Sequence, residues 1–189
     1  MSGFRKRRGQ ALVEMALILP VLVLLMLGAA DLGRAYYIKL EMSGASRAGM
    51  RMGVLGTGVD IGNAVRAEPN SAIPNTTAAW GANGPGGLND CDPTQSTHKC
   101  GDQAGCAPGA NWTTGQVACF AVRTCIVWTN GTCSSVSTWG TRPAAAADQG
   151  VEVLTVYRFQ AATPIIAAFA PNPGGIFYLS ADTVGLQLY

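Results

Sequence analysis

Glu14 lies three residues into the run Ala11 to Ala30, which contains no other charge. A carboxylate inside such a run is costly and calls for a partner. Gly9 stands five residues before it. A cut after Gly9 would make Gln10 the first residue and Glu14 the fifth, placing a new α-amino group about one helical turn from the carboxylate, where opposite charges compensate. The second reactive set is cysteine: Cys91, Cys100, Cys106, Cys119, Cys125 and Cys133 fall in one window of 43 residues. An even number of cysteines in an oxidising compartment points to three disulfides. Zinc is the competing use, but there is one histidine, His98, and no C-x-x-C pair. Asp90, Asp92 and Asp102 lie near His98 without the spacing of a calcium loop, and they read as turn residues.

Nothing else in the chain has the makings of catalysis. A histidine-activated nucleophile would have to use His98, and no serine sits in a nucleophile elbow. The glycines from Gly81 to Gly87 surround Pro85 and lack the lysine of a phosphate loop. The expectation is therefore a protein that is not an enzyme and has no cofactor and no metal. Residues 1–52 hold eight basic and three acidic residues (net +5), and residues 53–189 hold five basic and eight acidic (net −3). A basic excess confined to one terminal cluster does not make a nucleic-acid surface. With 48% hydrophobic and 13% charged residues, disorder is excluded as well. Three glycosylation-type triplets begin at Asn75, Asn111 and Asn130, and are expected to stay bare. Of Trp80, Trp112, Trp128 and Trp139, at least half are expected to pack in the core.

The elements that must position these groups begin with the run Ala11 to Ala30. Twenty helical residues at about 1.5 Å each span the hydrocarbon core of a bilayer. The basic cluster Arg5-Lys6-Arg7-Arg8 precedes the run, which places the N-terminus in the cytoplasm and everything after Ala30 across the membrane. Ala161 to Ala170 is too short for a second span and contains Pro164. A cleaved signal peptide ending at Gly28-Ala29-Ala30 is the rival reading. Against it stand Glu14 and a helical pattern that continues without proline from Leu32 to Met52. In that continuation Ala45, Gly49 and Gly53 share one face. The stripe either admits another helix closely or belongs to an ordinary solvated helix that tolerates glycine.

The segment Gly9-Gln10-Ala11-Leu12-Val13-Glu14-Met15-Ala16-Leu17-Ile18-Leu19-Pro20 resembles the opening of the TadE-like family of tight-adherence (Flp-type) pilus proteins. It is also similar to the leaders of class III and type IV prepilins. Ala45-Ser46-Arg47-Ala48-Gly49-Met50-Arg51 is similar to the helix that follows the span in that family. Val151 to Tyr157, Thr163-Pro164 and Leu179 to Val184 look like its closing strands. Met15, where an aromatic residue commonly stands, and the six-cysteine insert depart from the pattern. The resemblance implies removal of residues 1–9 by a membrane prepilin peptidase on the cytoplasmic face. It also implies partnership with other pilus subunits and the inner-membrane assembly platform, and a docking role for Glu14.

Residues 53–189 are enough for one extracytoplasmic domain, after a leader (1–9) and a membrane helix with its extension (10–52). Strands are expected over Gln116 to Thr129, Val151 to Phe159 and Ile176 to Tyr189, with Ala118, Phe120, Val122, Ile126 and Trp128 sharing one face. Asn130-Gly131 marks a hairpin. A short helix is expected near Ile61 to Glu68, and loop from Asn70 to Gly115. The fold class is α+β, a long transmembrane helix followed by a small, mainly antiparallel sheet with a disulfide-rich loop region. Cys119 and Cys125 are about 20 Å apart on one strand, and a two-residue hairpin sets Cys133 opposite Trp128, facing away from Cys125. Each of these three is then expected to pair with one of Cys91, Cys100 and Cys106, which leaves six of the fifteen connectivities.

Two functions fit these features. The leading one is a minor pilin or pseudopilin of a tight-adherence pilus, serving assembly, adhesion or secretion from the inner membrane and incorporated in turn into the fibre. The alternative is an unprocessed single-pass membrane protein whose disulfide-bonded domain binds a ligand.

Overall fold

The structure, a computed structural model, describes residues 4–55, 61–69, 72–84, 106, 112–129, 132–137, 139 and 150–186. Its first element is a single helix, α1, from Phe4 to Val54. The leucine, alanine and methionine content of this stretch favours helix, and the one breaker is Pro20, which removes one backbone donor without ending the element. Shorter helices follow at Ile61–Ala67 (α2) and Thr77–Trp80 (α3), the latter continued by a 3-10 turn at Gly81–Asn83. Thr76 caps α3, its hydroxyl accepting from the Ala79 N–H at 3.2 Å. The strands are β1 (Ala118–Thr129), β2 (Thr132–Val136), β3 (Gly150–Gln160) and β4 (Ile176–Leu186), with a short helix α4 (Pro164–Ala168) between the last two. They form one sheet in the order β2-β1-β3-β4, and β1 runs antiparallel to both β2 and β3. The fold class is the α+β arrangement expected: a long apolar helix, then an antiparallel sheet with disulfides in the strand region.

The chain divides into two compact units. One comprises residues 1–36 with 160–177, and the other residues 37–159 with 178–189. In the second unit the C-terminal part of α1 lies on one face of the sheet. Its buried residues Ile38, Met42, Ala45, Ser46, Gly49 and Gly53 recur with the helical period. A Cβ on Gly49 would collide with the Val65 side chain of α2 and reach Val153 of β3 at 3.3 Å, and one on Gly53 would meet Val151 at 2.7 Å. The small-residue stripe is thus a packing face, closed by α2 and β3 together. Polar groups within this interface are matched. The Ser46 hydroxyl donates to the Val153 carbonyl at 3.0 Å, and the Thr155 hydroxyl donates to the Met42 carbonyl at 3.0 Å.

The register Phe120↔Thr155, Val122↔Val153 and Thr124↔Val151 places these side chains on the helix-covered face. Cys119, Ala121, Leu154 and Val156 turn to the opposite face, where Cys106, Trp112, Trp139 and Tyr178 cover them. The expected strand Gln116–Thr129 therefore begins at Ala118, and its first five residues are all buried, because layers lie on both sides of this central strand. Ile126, expected to share a face with Phe120 and Val122, is 46% exposed while those two are buried.

The reason is a bulge. From Cys125 to Val127 β1 advances two residues while β2 advances one, from Val136 to Ser135. A second irregularity follows between Val127 and Trp128. One extra residue reverses the alternation beyond it. Cys133 does lie opposite Trp128, as the hairpin predicts, but the reversal brings it to the side of Cys125. The two are joined as a disulfide with their Cα atoms 5.7 Å apart. This corrects the expectation that Cys125 and Cys133 each take a partner from the loop. Cys119 does take a loop partner, Cys106, at a Cα separation of 5.6 Å. Cys91 and Cys100 lie outside the described residues, as do His98, Asp90, Asp92, Asp102, Asn111, Asn130 and the Gly-Pro stretch 85–90.

Candidate functional site

Every residue from Gly9 to Leu27 is exposed, so the apolar run of α1 is not buried by the described residues. Leu12, at 72%, is typical. The helix is long and apolar enough to cross a membrane. Glu14 is exposed on this surface, and the side-chain amide of Gln10, one turn earlier, donates to its Oε1 at 3.4 Å. The spacing that would set a new amino terminus beside the carboxylate thus already brings the two residues together in the intact helix. Gly9 has open space around its Cα, with no atom within 4 Å of where a Cβ would stand. It is also helical, lying within the first turns of α1.

At the other end of the run, Asp31 organises the same unit in a way the sequence pattern did not reveal. It is 3% exposed, and its carboxylate accepts from the Thr163 hydroxyl at 2.7 Å and the Thr163 N–H at 2.8 Å. The Ala162 N–H adds a third donor at 3.1 Å, and Arg34 stands 3.7 Å away. The Thr163 hydroxyl, then the Thr163 backbone, hold this carboxyl below the ordinary aspartate range against the opposing cost of desolvation. Asp31 thereby supplies the acceptor at the start of α4, where Thr163 makes no side-chain cap of its own. The chain from Ala161 to Gly175 is closed at its base by the Ala161 N–H donating to the Gly175 carbonyl at 3.1 Å. Gly174 and Gly175, with φ of 76° and 74°, make the return turn, and Gly175 lies against Ala167 too closely for a side chain. The sequence signal is that Asp31 is the first charge after the apolar run, a cue that names no partner.

A second polar site lies on the cysteine-bearing face of the sheet. Arg123 and Glu152 are register partners on β1 and β3, joined by two parallel hydrogen bonds of 2.7 Å from Nε and Nη2 to the two carboxylate oxygens. The Trp139 ring lies 4.2 Å from the guanidinium carbon. Asp182 of β4 faces the same carboxylate. Desolvation first, then the charge of Glu152 and a hydrogen bond with it, push the Asp182 carboxyl up to about 6, against the pull of Arg123. The site holds two carboxylates and one cation, and among the described residues no group of three or more histidine, cysteine, aspartate or glutamate side chains is placed to hold a metal. It links β1, β3 and β4 as a polar network. Its sequence signal is Arg123 as the one charge of β1 and Glu152 among the valines of β3, a cue that names no partner.

Together these features define an α+β protein presenting a long apolar helix capable of crossing a membrane, with a polar pair near its start and a disulfide-bonded sheet domain. Residues 9–51 match the family profile described as TadE-like protein, the family that the sequence of this helix resembles. No curated protein and no solved structure matches the chain. The matched segment covers the whole exposed run and most of the small-residue face that packs on the sheet. The TadE-like likeness and the membrane-capable helix associate the chain with a tight-adherence pilus system and with the membrane.

Proposed function

We propose that the chain is a minor pilin or pseudopilin of a tight-adherence pilus, with a structural and non-catalytic role. In this reading residues 11–30 anchor it in the inner membrane with the N-terminus in the cytoplasm and the sheet domain outside. A prepilin peptidase removes residues 1–9, and the exposed helix then packs against other pilus subunits at the assembly platform. The observation that carries the reading is the exposed apolar surface from Gly9 to Leu27, bearing one carboxylate and lying within the TadE-like match. A helix that serves as a monomer's core would be buried, whereas a helix that serves as a packing element between subunits is exposed in the isolated chain.

The test is the mass of the membrane-extracted protein. Loss of Met1 to Gly9 is expected, and Gly9→Val is expected to retain the leader, because a branched side chain then flanks the scissile carbonyl. A native mass that includes the basic leader sinks the pilin reading, and a cut after Ala30 replaces it with a secreted protein. The second reading, an unprocessed single-pass protein with a ligand-binding domain, draws support from one contact. The Gln10 amide already offers Glu14 a neutral partner without any cleavage.

A further inference from the structure

The excursion Ala161–Gly175 joins β3 to β4 without a charge, and no charged residue occurs anywhere between Arg158 and Asp182. Its apolar side chains are not gathered into a core. Phe169 is 79% exposed and Ile165 41% exposed. The start of α4, Pro164 to Ile166, stands beside the part of α1 that lies inside the apolar run. Ile165 and Ile166 face Pro20, Val23, Leu24 and Leu27 across a groove of about 510 Å³. With Ala30 as the end of the run, Leu24 lies about 9 Å and Pro20 about 15 Å along the helix inside it. A bilayer that covers residues 11–30 must therefore also receive α4.

The geometry points to α4 and the turn after it, Pro164 to Phe169, as a wedge that enters the leaflet at the Ala30 end of the span, with acyl chains filling the groove between it and α1. The inference rests on the reading of residues 11–30 as the span. Two features of the loop suit a lipid occupant. Backbone donors entering an apolar layer must be satisfied, and Asp31 takes those of Ala162 and Thr163 at the boundary while Pro164 has none to offer. The exposed residues from Pro164 to Phe169 are Pro164, Ile165, Ala168 and Phe169, with no charged or polar side chain among them, which suits hydrocarbon and not the polar rim of a protein interface.

The experiment uses the full chain in nanodiscs of phosphatidylethanolamine and phosphatidylglycerol, with a nitroxide attached through p-acetylphenylalanine at position 169. Parallel samples carry it at position 22, inside the span, and at position 126, on the sheet. Collision with oxygen and with a water-soluble nickel chelate is measured at each. Positions 22 and 169 are expected to be several-fold more accessible to oxygen than to nickel, and position 126 the reverse. Nickel access at 169 with oxygen access at 22 overturns the wedge and leaves the span standing. Nickel access at 22 overturns the span itself. Exclusion of both reagents at 169 means that protein, such as a second copy's helix, covers the wedge, and overturns the lipid assignment.

Discussion

Glu14 and Asp182 are both carboxylates with a neighbour close by, yet their settings call for different tests. Glu14 is exposed on an apolar surface with the Gln10 amide beside it. If its charge recognises the amino terminus of a neighbouring subunit, Glu14→Gln keeps the shape and removes the attraction. The variant is expected to insert and to be cleaved as the wild type is, and to lose co-purification with the other pilus components. Equal recovery of those components with both proteins removes Glu14 from the docking mechanism. The glutamine at the new terminus must remain open or be methylated for the pairing, since cyclisation would consume the amine. Asp182 is a matter of stability. Its folded-state value of about 6 lies above its unfolded value of 3.8, so between these limits the folded protein holds a proton that the unfolded chain releases. Stability is thus greatest below about pH 4 as far as this group is concerned, and falls as pH rises through about 6. Solvent around the exposed Asp182 side chain keeps the change modest. Thermal unfolding of the wild type and Asp182→Asn between pH 4 and 7 should converge at the acid end, with the variant the more stable at neutral pH. A pH profile unaltered by the substitution would show that Glu152 does not burden Asp182.

Among the elements, α1 is the one whose two ends obey different rules. Its stretch from Ala11 to Leu27 is exposed and apolar but for Glu14, while its last part carries a narrow stripe of alanine, serine and glycine under which β3 and α2 pack. Adding a methyl group to a helical glycine ordinarily stabilises by about 1 kcal/mol. Here the new Cβ of Gly49→Ala would overlap Val65 and crowd Val153, and overpacking of this kind costs about 1–3 kcal/mol. Gly49→Ala is therefore expected to lower the stability of the sheet-bearing unit, measured by thermal unfolding in detergent. Gly33→Ala, whose Cβ meets nothing within 4 Å, is expected to be neutral or slightly stabilising. If both changes stabilise, the stripe is not the tight interface described. The strands teach a related lesson. The hairpin between β1 and β2 and the Trp128–Cys133 pairing were legible because Asn-Gly turns have one favoured length. The disulfide between Cys125 and Cys133 was not, because a strict alternation was carried across a strand that contains a bulge.

For the whole molecule, the sequence alone determined what depends on near neighbours along the chain. Twenty apolar residues make a helix of membrane-spanning length whatever surrounds them, so the run after the basic cluster could be placed without coordinates, and the match of residues 9–51 falls on it. Alternation and turn chemistry located the three main strands to within a few residues, and with them the α+β class. The tertiary structure decided everything that depends on residues remote in sequence. Thr163 reaches Asp31 across 132 positions, and the Thr155 hydroxyl reaches Met42 across 113. No local pattern encodes such partners, since a buried carboxylate and a solvated one look alike in sequence until the donors arrive. The same holds for the two-sided burial of β1. Periodicity tells which side chains share a face, and only the layers that settle on each face determine whether one or both are covered.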